Sequence, residues 1–150
     1  MSATDWLIIG IGNRLRRDDA VGPLLADRLA KQHLQVEEHS GEGMGLINAW
    51  QNHDHVILID ATQSGATPGT IHQIDAIEQT APSELFHYSS HQFGLAEAIE
   101  MARILEQLPK KLYLFGIEGA DFSYGEELSP QVQRALDQVE SQVLAHIESN

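Results

Sequence analysis

Short apolar runs alternate with amphipathic helical patterns along this chain of 150 residues. Three runs are continuous and apolar, as in strands that are buried on both faces, and lie at 6–9, 56–59 and 112–117. Two weaker strands are predicted at 35–39 and 70–74, the second after a Pro-Gly turn signal. Strands that alternate with helices predict right-handed βαβ crossovers, and therefore an α/β fold with a mostly parallel five-stranded sheet covered by helices on both faces.

Four helical patterns accompany these strands. In the clearest pattern, apolar residues recur at steps of four, three, four and four, at Val132, Leu136, Val139, Val143 and Ile147. Ser129 and Pro130 precede it as an N-cap and a first-turn proline. The other helices are predicted at 21–33, at 44–52 and from about residue 92. Because the chain has no internal repeat and no linker-like stretch, we expect one domain over 1–150.

The chain is strongly acidic and contains no cysteine. Its formal net charge of −13 disfavours nucleic acid and anionic membrane surfaces as partners. The lack of cysteine excludes disulfides, zinc–thiolate sites and cysteine nucleophiles, so a metal site must use oxygen and imidazole ligands. No stretch approaches the roughly 20 apolar residues of a membrane helix, and the first residues lack the basic flank of a signal peptide. We therefore expect a cytoplasmic protein.

Three polar segments follow predicted strands or precede a helix at the edge where parallel sheets bind ligands. They are the loop at 10–22, which carries Asp18 and Asp19; Asp60, directly after the run 56–59; and His91, before the third helix. Each has a simpler interpretation, since Asp18 or Asp19 would cap the helix that follows, Asp60 would form a turn, and His91 would be a surface residue. Together, two carboxylates and an imidazole form a ligand set that divalent transition metals accept.

Other kinds of site fit the residues less well. Gly10 and Gly12 begin a dinucleotide-binding fingerprint, but Leu15 stands where the third glycine belongs. The sequence contains neither a phosphate loop nor a G-x-S-x-G nucleophile elbow. Phosphorelay receiver domains also pair acidic residues with an aspartate that closes a strand. Their last strand ends in a lysine, however, whereas here Glu118 follows Ile117.

These residues together resemble the nickel–iron hydrogenase maturation endopeptidases. The segments at 10–13 and 18–22 are similar to the family's first motif, 59–61 to its second and 90–95 to its third, and 116–130 resembles its closing stretch. The resemblance covers nearly the whole chain in order, and it implies a three-layer α/β/α fold.

The resemblance also implies a substrate and a site. Such an enzyme acts on the precursor of the hydrogenase large subunit and, once nickel is inserted, removes a short C-terminal extension. The family's metal-contacting residues correspond to Asp19, where well-known members often have glutamate, and to Asp60 and His91. The family's Gly-Gly-Thr element after strand two is replaced by the segment with Gly41, Glu42 and Gly43, the expected substrate contacts. Nickel would be carried by the substrate, and no tightly held cofactor is expected.

Amide hydrolysis requires a polarised carbonyl, an activated water and a proton for the leaving nitrogen. No serine nucleophile stands out, so we expect water to attack, with Asp19, Asp60 and His91 as the catalytic residues and one of the carboxylates as base. Three alternatives stay open. They are a nickel carrier without proteolytic activity, a nucleotide-binding module built on Gly10 and Gly12, and an aspartic peptidase whose two carboxylates share a proton.

Overall fold

The computed structural model describes residues 5–86 and 93–149. Its regular elements follow one another as β1 (Trp6–Ile11), α1 (Val21–Ala30), β2 (Gln35–His39), α2 (Gly43–Trp50), β3 (His55–Thr62), β4 (Ile71–Asp75), α3 (Leu95–Ile104), β5 (Lys111–Glu118) and α4 (Pro130–Ser149). Short 3₁₀ helices lie at Arg17–Ala20 and Ser83–Phe86. Within this described part of the chain, no helix has the length and apolar content needed to cross a bilayer.

The five strands form one sheet in the order β2-β1-β3-β5-β4. The first four strands in that order are mutually parallel, and β4 pairs antiparallel with β5 at the edge. In the β3–β5 ladder, Asp60 lies opposite Gly116 and Thr62 lies opposite Glu118. The mostly parallel five-stranded sheet predicted from the sequence is confirmed.

Helices cover both faces of the sheet and enclose two hydrophobic cores. One core joins α2 and α3 to one face, through strand residues such as Leu7 and Leu58. The other core joins α1 and α4 to the opposite face, through strand residues such as Ile8 and Ile57. Because successive residues of a strand point to opposite faces, strands with helices on both sides must be apolar at every position. This explains the continuous apolar runs and confirms the expected three layers.

Several element boundaries differ from the sequence predictions by a few residues, and three of these differences have a clear physical reason. Helix α1 ends at Ala30 and not at His33, because His33 has a left-handed backbone with φ of 65°. Helix α3 begins at Leu95 and not near residue 92, since Gly94 is its N-cap. Strand β3 continues to Thr62, because β5 provides ladder partners along its full length. Asp60 therefore lies inside a strand and not directly after one.

Candidate active site

Asp60 presents a buried carboxylate near the carboxyl end of β3. It follows Leu58 by two residues, so it lies on the face of the sheet that α2 and α3 cover. Only 7% of Asp60 is exposed. Its Oδ1 accepts a hydrogen bond from the backbone N–H of Ala61 at 2.8 Å.

Asp19 brings a second buried carboxylate to the same edge of the sheet. It lies in the 3₁₀ helix Arg17–Ala20, between the end of β1 and the start of α1. Its Oδ2 accepts a hydrogen bond from the N–H of Asn13 at 3.0 Å. Its Oδ1 is buried and accepts no hydrogen bond from the described residues. A buried carboxylate oxygen without a donor is costly, and at a functional site it indicates room for a ligand.

The two carboxylates influence one another. Burial raises the pKa of Asp60 well above its ordinary value, and the charge of Asp19 raises it further, against the hydrogen bond from Ala61. Burial also raises the pKa of Asp19 to about 6, although the N–H of Asn13 and the charge of Arg16 act in the opposite direction. Paired acids with raised pKa values at the ligand-binding edge of a sheet are typical of catalytic and metal-binding sites.

The neighbouring Asp18 has a different environment. It is fully buried, and its carboxylate accepts hydrogen bonds from the N–H and hydroxyl of Ser129 and from the N–H groups of Ala120 and Asp121. Neither Asp18 nor Asp19 caps α1. The N-cap residue of α1 is Ala20, and among the described residues no side chain accepts a capping hydrogen bond at the start of α1 or of the 3₁₀ helix. The capping interpretation of this pair is therefore wrong for α1.

His91 lies outside the described residues. The next described residue is Phe93, whose carbonyl oxygen accepts a hydrogen bond from the N–H of Gly43 at 2.9 Å. Within 5–86 and 93–149, no three His, Cys, Asp or Glu side chains converge as a metal site. The structure thus brings Asp19 and Asp60 together, and the third predicted ligand stays a prediction.

The segment predicted to contact the substrate follows β2 at the same edge of the sheet. Gly41 has φ of 98°, a backbone conformation that favours glycine. The carboxylate of Glu42 accepts hydrogen bonds from two N–H groups in the first turn of α2 and so caps that helix. Gly43 packs so tightly on Phe93 that a Cβ at this position would overlap the aromatic ring. Contact of these residues with substrate stays a prediction.

Sequence reasoning missed one buried acid at this edge. Glu118, the last residue of β5, is 2% exposed and accepts hydrogen bonds from donors on β3, on the loop after it and on β4: Thr62, Ser64, Gly65 and His72. Burial raises the pKa of Glu118, but these hydrogen bonds outweigh it and hold the pKa below its ordinary value. The sequence signal that predicts Asp60, an acid directly after an apolar run, is also present at Ile117 and Glu118.

A family model described as hydrogenase maturation protease matches residues 23–146. The matched stretch includes Asp60 and His91 and begins just after Asp19. Hydrogenase 2 maturation protease of Escherichia coli (strain K12) is 30% identical over 145 residues, which cover 93% of this chain and 88% of that protein.

Solved structures agree with the sequence match. The hydrogenase maturating endopeptidase HybD from E. coli superposes with a TM-score of 0.78 at 28% identity, covering 96% of this chain and 92% of that one. The solution structure of an endopeptidase from Escherichia coli superposes with a TM-score of 0.82 at 29% identity, with the same two coverages. Both similarities extend over nearly the whole of this chain.

Proposed function

The chain belongs to the hydrogenase maturation protease family and is a peptidase, and on that premise we propose that it trims the precursor of a nickel–iron hydrogenase large subunit. In this proposal it removes the C-terminal extension after nickel has been inserted, in the cytoplasm. The observation that carries the proposal is the pair of buried acids, Asp19 and Asp60, with one carboxylate oxygen of Asp19 lacking a donor among the described residues.

The pair is suited to a divalent cation that arrives with the substrate. The positive charge of Arg16 compensates only partly for the burial of Asp19, and both acids keep raised pKa values, so a cation would supply the missing charge. Nickel accepts carboxylate and imidazole ligands. We therefore propose that Asp19 and Asp60, together with His91, contact the nickel of the precursor. This contact is made only by a nickel-loaded substrate, so it would make cleavage depend on metal insertion.

The same contact positions the bond to be cut. Water is the proposed nucleophile, and one of the two carboxylates takes a proton from it as it attacks the scissile carbonyl carbon. The C–N bond then breaks, and that proton passes to the leaving nitrogen. Holding water, base and amide in fixed geometry accounts for much of the rate of such reactions. The raised pKa of Asp19, about 6, suits a group that both accepts and returns a proton near neutral pH.

Gly41, Glu42 and Gly43 are proposed to contact the substrate chain. They follow β2, next to β1 in the sheet, at the edge that carries Asp19 and Asp60. Gly43 also touches Phe93, two residues after His91. A substrate segment bound along 41–43 would therefore lie beside the proposed nickel contact.

The test is to mix the purified chain with purified precursor, with and without nickel, and to weigh the products by mass spectrometry. We expect the precursor to lose its C-terminal segment only when nickel is present. Asp60→Asn and His91→Ala should stay folded and leave the precursor intact, whereas the exposed His33, replaced by Asn as a matched control, should not affect trimming.

Each other outcome has a defined meaning. Loss of nickel from the precursor or from the chain without a change in mass would identify a carrier. Equal trimming of nickel-free precursor, with more activity at low pH, would identify an aspartic peptidase whose acids share a proton. Normal trimming by both site variants would overturn the assignment of Asp60 and His91.

A further inference from the structure

We propose that Asp18 is a positioning residue of the peptidase site, which sets the location of Asp19 by tying the 3₁₀ helix to the loop after β5. This inference rests on the proposed role of Asp19. It concerns a residue that touches neither substrate nor metal in the proposed reaction. Its basis is the hydrogen-bonding geometry of Asp18 and of the segments around it.

The carboxylate of Asp18 joins the 3₁₀ helix to both ends of the loop between β5 and α4, 102 to 111 residues away. Its Oδ1 accepts from the N–H of Ser129 at 2.7 Å, and its Oδ2 accepts from the Ser129 hydroxyl at 2.7 Å. The same Oδ2 accepts from the N–H of Ala120 at 2.7 Å and of Asp121 at 2.9 Å. These donors lie directly after β5 and directly before α4. One buried side chain therefore fixes the 3₁₀ helix against the loop that connects β5 to α4.

Backbone hydrogen bonds continue the same connection. The N–H of Asp18 donates to the carbonyl of Asp121, the N–H of Arg17 donates to the carbonyl of Gly125, and the N–H of Gly125 donates to the carbonyl of Leu15. Arg17 has φ of 43°, which costs roughly 1–2 kcal/mol for a residue with a Cβ. Such a conformation persists only where the surroundings hold it in place. The contacts of Asp18 and of its neighbours provide that support.

Asp19 itself has few contacts that would fix its carboxylate. Only one of its two oxygens has a donor among the described residues, the N–H of Asn13. Its position therefore depends on the backbone of the 3₁₀ helix. That backbone also packs closely on Gly12, where a Cβ would overlap the carbonyl oxygen of Asp19. Asp18 thus anchors the 3₁₀ helix, whereas Asp19 keeps one carboxylate oxygen that accepts no hydrogen bond from the described residues and can bind a ligand.

The chemistry at position 18 requires a carboxylate. All four groups that contact it act as donors, and an ionised carboxylate is a side chain that only accepts. An asparagine would direct an N–H₂ group toward donors at one of the two oxygen positions. Asp18→Asn should therefore disrupt the connection, while Ser129→Ala removes the hydroxyl bond and leaves the backbone bond in place.

The test compares Asp18→Asn, Ser129→Ala and Ser129→Thr with Val139→Ala, a fully buried residue of α4 whose loss destabilises the fold away from this loop. Trimming of nickel-loaded precursor gives kcat and KM, thermal unfolding gives Tm, and hydrogen–deuterium exchange reports on 13–20. All kinetics are measured well below the lowest Tm.

We expect Asp18→Asn to lower kcat by about tenfold or more, because small displacements of a reacting group are costly, and to change KM much less. Ser129→Ala should show a smaller loss that Ser129→Thr restores. Amide exchange at 13–20 should rise in Asp18→Asn and not in Val139→Ala, which should keep its kcat despite a lower Tm.

The outcomes separate this inference from the proposed function. Failure of the unchanged chain to trim overturns the proposed function. Unchanged exchange at 13–20 in Asp18→Asn, or an unchanged kcat, overturns the positioning role by itself. Equal loss of kcat in Asp18→Asn and Val139→Ala at equal loss of Tm also overturns it, because the effect would then follow stability alone.

Discussion

Gly22, in the first turn of α1, packs directly on Gly10 of β1, and a Cβ on Gly10 would overlap the carbonyl oxygen of Gly22. A Cβ on Gly22 would likewise overlap the carbonyl oxygen of Ile11. This close approach brings the start of α1, and the 3₁₀ helix before it, onto the carboxyl end of the sheet. The glycines that resemble a dinucleotide fingerprint therefore serve backbone packing, which places Asp19 near Asp60.

Gly10→Ala should destabilise the chain severely, because its Cβ meets backbone atoms that cannot move aside. We expect a loss of about 3 kcal/mol in the free energy of unfolding, measured by urea denaturation. Gly65→Ala is the matched control, since a Cβ there meets nothing within 4 Å and φ is 89°. It should lose only about 1–2 kcal/mol through backbone strain. Equal losses in the two variants would contradict the packing role of Gly10.

Asp60→Asn should abolish trimming and yet raise the thermal stability at neutral and alkaline pH. The pKa of Asp60 is raised in the folded chain, chiefly by burial, so its contribution to stability is present at low pH and lost as pH rises through that pKa. Asparagine is uncharged, so the loss of stability at high pH does not occur, and its side-chain oxygen still accepts the hydrogen bond from the N–H of Ala61. Each gain of ~1 kcal/mol raises Tm by roughly 2–4 °C in a domain of this size.

The sign of the pH dependence is the decisive measurement for Asp60. The difference in Tm between Asp60→Asn and the unchanged chain should be small near pH 4, where Asp60 is protonated in the folded state, and should grow toward pH 8. Glu148→Gln, at an exposed position of α4, is the control and should show no comparable growth. If the difference in Tm between the two chains stays constant with pH, the pKa of Asp60 is not raised by burial and by the charge of Asp19.

Glu118→Gln should show the opposite pH dependence. The hydrogen bonds to Glu118 hold its pKa below the ordinary value of 4.5 despite burial, so its stabilising contribution is present above that value and lost as pH falls through the folded pKa. We expect a loss of roughly 1.5–3 kcal/mol at pH 7 that shrinks toward pH 3. The comparison is made in a His72→Gln background, because the imidazole contacts Glu118 directly and its own contribution must be kept out of the comparison. A loss of the same size at pH 3 would contradict an ionised Glu118.

The sequence predicts elements best where one local pattern decides them. The apolar run at 56–59 and the repeat from Val132 to Ile147 require a buried strand and an amphipathic helix, and both are confirmed. The partners of Asp18 were not predictable in this way. They lie 102 to 111 residues away, and apart from the Ser129 hydroxyl they provide backbone N–H groups, which leave no mark on the sequence. The candidate site is predicted from the rule that ligands bind beyond the carboxyl ends of parallel strands, and the family resemblance indicates the same residues.

Gly43→Ala tests whether the segment after β2 and the segment before α3 act together. The new Cβ would overlap the ring of Phe93 and approach its carbonyl oxygen to 2.7 Å, so Phe93, which follows His91 by two residues in the sequence, must move. We expect kcat/KM for trimming to fall by about tenfold or more while the chain stays folded.

Gly45→Ala is the matched control for this substitution, because it lies in the same helix and its Cβ would press mainly on the far end of the His39 ring. Alanine is favoured over glycine in a helix by about 1 kcal/mol, so Gly45→Ala should keep its stability and its trimming rate. Amide exchange of Phe93 should rise in Gly43→Ala only. If both variants trim at the rate of the unchanged chain, the contact between Gly43 and Phe93 does not contribute to the geometry of the site.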